Sequence, residues 1–372
     1  MVKIPGQFLI YLIDIFQLLC YIHNIAILNE PYAIRAEGFI NLRRFYMNGT
    51  MRYRPLGKTG ITVSEIGMGL WAAGGDAWGK TEDQEVLRAI DYALDHGVTF
   101  FDTADVYGNG HSEELLGKAM AGRRDKFIVA TKIGWRNFDG EKGQSAYTTV
   151  EAFIAGVESN LKRLNTDYID VMQSHIDFRD PTMEVFLEGF QRLKQAGKIR
   201  AYGVSTSNFE YLKAFNHDGK TNTLQIDYSI LNRTSEKDIL PYCQKQGLGV
   251  IIRGAIAMGI LAGKFTADTR FGEGDFRRHW HENPEEYQVF LKDLETVEAL
   301  RKLVRPDRNL ATVALQFVLA NPAVSTVIPG IKTVAQMEAN LKAAQLPPLS
   351  KEELAYIDSI VPPGGGRKIW PA

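Results

Sequence analysis

From residue 51 onward the chain alternates between two periodicities. Short runs rich in β-branched and aromatic residues are each followed by a longer segment whose apolar positions recur every three or four residues. The strand-like runs fall at 66–71, 99–103, 127–133, 168–174, 199–205, 223–228, 249–253 and 325–328. The helix-like segments fall at 82–96, 112–121, 149–164, 183–196, 209–215, 236–246, 311–319 and 334–343. In the first of these Val86, Leu87, Ile90, Ala93 and Leu94 share one face, and Gly97 ends it. Ahead of the alternation, Tyr53-Arg-Pro-Leu, Gly57-Lys-Thr-Gly60 and Ile61-Thr-Val-Ser read as a hairpin.

Strand–helix alternation implies a parallel sheet, and eight units within about 280 residues have the size of a (β/α)8 barrel. The predicted fold is therefore α/β: a (β/α)8 TIM barrel with an N-terminal β-hairpin and C-terminal helices, spanning residues 51–360. A doubly wound sheet also alternates, but it ordinarily carries a glycine fingerprint for phosphate. Gly67-Met-Gly69 is followed by Ala72, and Gly57-Lys58-Thr59 has Arg52 where a P-loop needs glycine, so both common loops fail. The segment 263–288 is irregular and charged, and it follows the seventh strand, where a barrel places active-site loops. Residues 361–372, opening on Val361 and Pro362-Pro-Gly-Gly-Gly-Arg, read as a flexible tail.

The first 50 residues break the pattern. Residues 8–28 form an apolar stretch long enough to suggest a membrane span. Asp14, Gln17, His23 and Asn24 interrupt it, and a buried carboxylate is costly in lipid. Only Lys3 supplies a positive charge ahead of it, and no small-residue cleavage site follows, against a signal peptide. Residues 1–50 are read as a hydrophobic extension outside the domain, an upstream stretch in frame with a start at Met51 or Met47. A membrane-associating helix is the alternative.

Composition changes this picture little. The chain is 45% hydrophobic and 23% charged, ordinary for a folded globular protein. Its net charge of -1 gives no general field for nucleic acid or acidic membranes. Cys20 and Cys243 are too few for a disulfide framework, and the chain reads as cytoplasmic. No interface pattern stands out, so a monomer or small homo-oligomer is expected.

Barrel active sites form at the C-terminal ends of the strands. The second strand ends in Asp102, with Tyr107 just beyond; the third ends in Lys132; the fourth is followed by His175. Singly, these are more often a loop cap, a rim aromatic, a solvated charge and a satisfied core histidine. On adjacent strand ends they make a coherent set. Tyrosine is normally a poor acid at neutral pH, and a lysine ammonium beside it lowers its pKa. A carboxylate keeps that buried lysine charged, and a histidine can orient a substrate oxygen. The set is an acid for protonating an oxyanion as it forms. Lys132 alone also fits a Schiff-base enzyme. His279-Trp-His281 shows no third ligand, so no metal is expected.

Asp102-Thr-Ala-Asp-Val-Tyr107-Gly, Ala130-Thr-Lys132 and His175 resemble the catalytic motifs of the aldo-keto reductases. The similarity extends to Arg54-Pro-Leu-Gly-Lys-Thr-Gly60, Gln225-Ile-Asp-Tyr-Ser, Gly259-Ile-Leu-Ala-Gly-Lys264, Val327-Ile-Pro-Gly330 and the segment 336–340. The resemblance implies a barrel that binds NADPH (NADP+) across its rim and passes a hydride to a small-molecule aldehyde or ketone. It implies Tyr107 as general acid, Lys132 and Asp102 as its tuning groups, and His175 as the residue that orients the carbonyl. It places Ser205 and Gln225 at the nicotinamide amide and Lys264 at the pyrophosphate. Gly330, Lys332, Gln336 and Asn340 match the adenosine-phosphate end, with Lys332 at the 2′-phosphate. Arg253 stands where many members place an aromatic under the nicotinamide, and a guanidinium plane can stack there. Thr206 replaces a usual Asn, for which Asn208 is a substitute; Ala255 replaces a common Pro; Gln336 replaces an Arg and weakens the NADPH preference. Trp71 is expected either at the substrate pocket or as a barrel-mouth core aromatic. The alternative function is an NADPH-binding, redox-sensing regulatory subunit of a membrane channel, which some similar barrels are; the complete Asp-Tyr-Lys-His set favours turnover.

Overall fold

The computed structural model describes residues 51–75, 78–79, 81–136, 145–178 and 180–368. These fall in one compact unit, residues 48–372. The hydrophobic stretch at 8–28 lies outside the described residues. Among those described, no helix is long and apolar enough to cross a membrane.

The hairpin forms as read. Strands β1 (Tyr53–Pro55) and β2 (Thr62–Ser64) pair antiparallel, with Arg54 opposite Val63. Its turn presses against the barrel floor. Gly57 has φ +54, and a Cβ there would sit 2.3 Å from Gly249 N, so only glycine fits. Leu56, Ile61 and Val63 are buried in one cluster with Phe100, Ala130, Val171, Ala201 and Ile251, which point into the barrel. The hairpin is the plug that closes its N-terminal end.

The barrel strands are β3 (Met68–Gly69), β4 (Phe100–Asp102), β5 (Ile128–Ile133), β6 (Ile169–Ser174), β7 (Ile199–Ser205), β8 (Thr223–Asp227), β9 (Gly249–Arg253) and β10 (Val324–Val327). They lie side by side in sequence order and run parallel. Bridges from Ile66 to Val327 and from Gly69 to Gly330 close the ring between first and last strand. The predicted (β/α)8 barrel is the observed fold.

Because side chains alternate along a strand, the inward positions form layers. One step above the apolar floor come Asp102, Lys132 and Gln173, and above β8 and β9 Gln225, Asp227 and Arg253. The outward residues, among them Phe101, Val129, Met172, Tyr202 and Leu224, pack into the large core under the helices.

Helices follow the strands: α1 (Asp83–Asp95), α2 (His111–Met120), α3 (Val150–Leu164), α4 (Thr182–Gln195), α5 (Phe209–Phe215) and α6 (Ile239–Gln246). After β9 comes α7 (Pro284–Leu300), then α8 (Leu310–Ala320), α9 (Val334–Gln345) and α10 (Lys351–Ile360). Helix α7 was not anticipated; its first residues fall in the segment read as irregular. Its start is well signalled: Asn283 accepts hydrogen bonds from Glu285 N and Glu286 N, and Pro284 opens the first turn. Phe290, Val297 and Leu300 are buried on its inner face, with Tyr287 and Leu294 packed beside them against the core. The run read as strand 66–71 is shorter, and Trp71 instead opens a 3-10 turn, Trp71–Gly74. The segment read as a flexible tail is hydrogen-bonded as far as Lys368. Arg367 N donates to Leu231 O (2.9 Å), Arg367 pairs with Asp293 (2.5 Å), and Lys368 Nζ donates to Ser207 O (3.1 Å).

Candidate active site

Asp102 is the last residue of β4 and points into the barrel. The loop that follows crosses the rim and delivers Tyr107 to the same side. Gly108 makes this possible: its φ is +56, and a Cβ would lie 2.2 Å from Gly74 O. That close approach seats the loop on the Trp71 turn, where Trp71 stacks on the Tyr107 ring at 5.8 Å. Lys132 points inward from β5. His175 follows β6, with its backbone N–H bonded to Ile133 O at 3.1 Å.

The four side chains are buried together: Asp102 is 3% exposed, Tyr107 8%, Lys132 1% and His175 5%. Lys132 Nζ donates to Asp102 Oδ1 at 2.5 Å, to Thr103 O at 3.0 Å and to Tyr107 Oη at 3.3 Å. Asp102 Oδ2 accepts from Gln225 Nε2 at 2.7 Å. The His175 ring meets Tyr107 and Trp135 edge-on, at 5.6 and 5.0 Å.

Burial and charge set the protonation states. Burial pulls the Lys132 ammonium down, but the Asp102 carboxylate and then Tyr107 outweigh it and hold its pKa above 10.5. Burial lifts the Tyr107 phenol above 10, although Lys132 pulls the other way. This corrects the expectation of a net lowering: the lysine acts as foreseen, and burial is the larger effect. Tyr107 therefore stays protonated near neutral pH, as a proton donor must. Burial, then Lys132 and Arg253, push the His175 pKa well below 6.5, so the imidazole is neutral and offers one N–H.

A cleft of about 530 Å³ opens from this cluster across the rim. Ser205, Gln225, Arg253, Lys264, Gly330, Lys332, Gln336 and Asn340 all line it, and so does Trp71. Several of these side chains have protein partners. Lys332 Nζ donates to Trp78 O, across the cleft, and to Gly79 O at 3.3 Å. Gln336 Oε1 accepts from Lys332 N at 2.7 Å. Burial lowers the Arg253 pKa, and Asp227 opposes that shift. Asn208 caps α5 by accepting from Tyr211 N and is not among the residues that line the cleft.

Among the lining residues that the sequence reading does not name are Trp78, Trp135 and Arg277. Arg277 is held bidentate by Asp275, at 2.9 and 2.6 Å, and lies 5.1 Å over Trp78. For Arg277 the signal is the 263–288 segment, read as an active-site loop without Arg277 being singled out. Among the described residues no group of three or more His, Cys, Asp or Glu side chains is placed to hold a metal.

The cleft fits a dinucleotide. Cations Lys264, Arg277 and Lys332 line it, and the hydroxyl of Ser205 and the amide of Gln225 stand by the tetrad. Known proteins agree in kind. A sequence model of the Aldo/keto reductase family matches residues 65–362. Aldo-keto reductase YhdN of Bacillus subtilis is 36% identical over 298 residues, covering 78% of this chain and 87% of that protein. The NADH-specific methylglyoxal reductase of Escherichia coli is 29% identical, covering 80% of this chain and 94% of its own. The holo form of aldo-keto reductase AKR11C1 from Bacillus halodurans superposes with a TM-score of 0.68 at 31% identity, covering 83% and 96%. With the motifs, the closed barrel and the matching relatives in agreement, this chain belongs to the aldo/keto reductase family, a family of oxidoreductases that use nicotinamide cofactors.

Proposed function

We propose that this chain is an NADPH-dependent carbonyl reductase acting on small aldehydes or ketones. The observation that carries this is the Lys132 ammonium, bonded at once to Asp102 and to Tyr107 at the inner end of the cleft. The nicotinamide, when bound, supplies the hydride. The chain supplies the proton and the place for the charge. Tyr107 Oη donates its proton to the carbonyl oxygen as negative charge grows there. Lys132 then stabilises the phenolate left behind, and Asp102 holds Lys132 charged. Neutral His175 donates one N–H to the same oxygen and fixes its direction. Trp71, Trp78 and Trp135 line the cleft and displace water from the reacting carbon.

Ser205 and Gln225 would hold the carboxamide, and Arg253 would stack on the nicotinamide. Lys264 would meet the pyrophosphate. Gly330, Lys332, Gln336 and Asn340 would receive the adenosine end, where Lys332 and Arg277 would favour a 2′-phosphate. The test is the loss of NADPH absorbance with aromatic aldehydes, sugars and methylglyoxal, alongside Tyr107→Phe. Turnover that disappears in the variant supports the reductase. Tight NADPH binding with no turnover on any carbonyl points instead to a redox-sensing channel subunit. No binding of either dinucleotide sinks the cofactor assignment.

A further inference from the structure

Strand β5 has two faces, and the one away from the cleft carries an unusual load. Lys132 points inward; its neighbour Thr131 points outward, toward α2 and α3. There Glu113, in the first turn of α2, is fully buried. Its Oε1 accepts from Thr131 Oγ1 at 2.6 Å and from Asn160 Nδ2 at 2.7 Å, and its Oε2 accepts from Arg163 Nε at 2.6 Å. Asn160 Nδ2 also reaches Lys132 O at 3.4 Å. That same carbonyl accepts from Asp105 N at 3.1 Å, within the loop that presents Tyr107.

One carboxylate thus ties together the strand of Lys132, the helix that follows Tyr107, and α3. Holding a charge there is costly. Burial raises the Glu113 pKa, and Arg163 counters it. A leucine of similar size would fill the space with less desolvation penalty. Packing therefore does not explain the residue, whereas what it holds does. The Lys132–Tyr107 contact, at 3.3 Å, is near the limit of a hydrogen bond. A shift of about 1 Å in either backbone would break it, and a misplacement of that size costs up to about a hundredfold in rate.

We propose that Glu113 is a positioning residue for the reduction: from outside the barrel wall, through Thr131 and Asn160, it fixes the Lys132 main chain and with it the contact between the Lys132 ammonium and Tyr107. This rests on the reading of Tyr107 as proton donor.

The test is turnover of the full chain with NADPH and benzaldehyde in wild type, Glu113→Gln, Glu113→Leu and Thr131→Val. Cofactor affinity is read from tryptophan fluorescence and folding from Tm. Glu113→Leu loses roughly ten- to a hundredfold in kcat. Thr131→Val, which keeps shape and strand preference, loses between about threefold and tenfold. Glu113→Gln, whose amide oxygen still accepts from Thr131 and Asn160, recovers kcat to within about threefold of wild type. KM and NADPH affinity stay constant throughout. Full kcat in Thr131→Val or in a folded Glu113→Leu overturns the proposal, as does a kcat that falls only with the folded fraction. Should Glu113→Leu fail to fold, Thr131→Val decides. A wild type inactive on benzaldehyde, methylglyoxal and sugars alike sinks the reduction reading and this proposal with it; an active wild type with unaffected variants sinks only the proposal.

Discussion

Gln225 Nε2 donates to Asp102 Oδ2 at 2.7 Å from the opposite wall of the barrel. The two residues sit on β8 and β4, four places apart in a ring of eight strands, so this one bond spans the lumen. It assigns each Asp102 oxygen a partner, Lys132 on one and Gln225 on the other. A residue expected to touch only the cofactor thereby also holds the group that keeps the lysine charged.

Replacing Gln225 with leucine should therefore weaken two properties together. Asp102 keeps Lys132 but loses a hydrogen bond to a buried charge, an effect of about tenfold or more. Dinucleotide affinity and kcat should both fall by that order in a folded protein. A variant that loses affinity alone shows that the bond to Asp102 does not matter for the chemistry.

Tyr107→Phe removes the proton donor and little else, since the ring still stacks on Trp71. Loss of one general acid costs about a hundredfold to ten-thousandfold in kcat. NADPH affinity should stay near the wild-type value. Steady-state kinetics and fluorescence titration check the two halves of that statement separately.

Asp102→Asn tests who keeps Lys132 charged. In wild type the carboxylate outweighs burial and holds the lysine pKa above 10.5. Without it, burial remains and lowers that pKa. The ammonium is then lost as pH rises through a lower value, so activity on the alkaline side should disappear earlier than in wild type. A kcat profile with an unmoved alkaline limb contradicts this account.

Asp105 provides a test of stability. Burial, and then the neighbouring Glu113, push its carboxyl up to about 7, with Arg163 and Arg136 opposing. Its pKa is thus higher folded than unfolded, where it is near 3.8. The folded chain binds the proton more tightly, so this contribution is present below about pH 4 and is lost as pH rises through about 7. Asp105→Asn should match wild type near pH 4 and exceed it near pH 8, by a few kcal/mol at about 1.4 kcal/mol per pH unit. Urea unfolding at the two pH values measures the difference.

Lys332→Met bears on the choice of dinucleotide. Losing a cation from a phosphate site costs about tenfold or more in affinity. NADPH binding should weaken by that order while NADH binding changes little. Equal effects on both would place the 2′-phosphate elsewhere, with Arg277 the next residue to replace.

The sequence by itself determined the order and type of most elements, and the reason is local. Backbone geometry makes side chains repeat every two residues in a strand and every three or four in a helix, so Phe100 and Asp102, or Ala130 and Lys132, declare a shared face without any partner in view. It also brought the four tetrad residues to one rim, because strand ends in a parallel barrel all face the same way. What it left open depended on closure. Helix α7 turns Phe290, Val297 and Leu300 to the core with Tyr287 and Leu294 packed beside them, and only the folded barrel shows that face to be covered. The Tyr107 pKa rises because burial, a property of the whole assembly, exceeds the pull of Lys132. The bond from Gln225 to Asp102, the reach of Lys332 to Trp78 and the grip of Glu113 on Thr131 join residues far apart in the chain. No local periodicity encodes such distances; they exist only once the ring of strands has closed and its two faces have been packed.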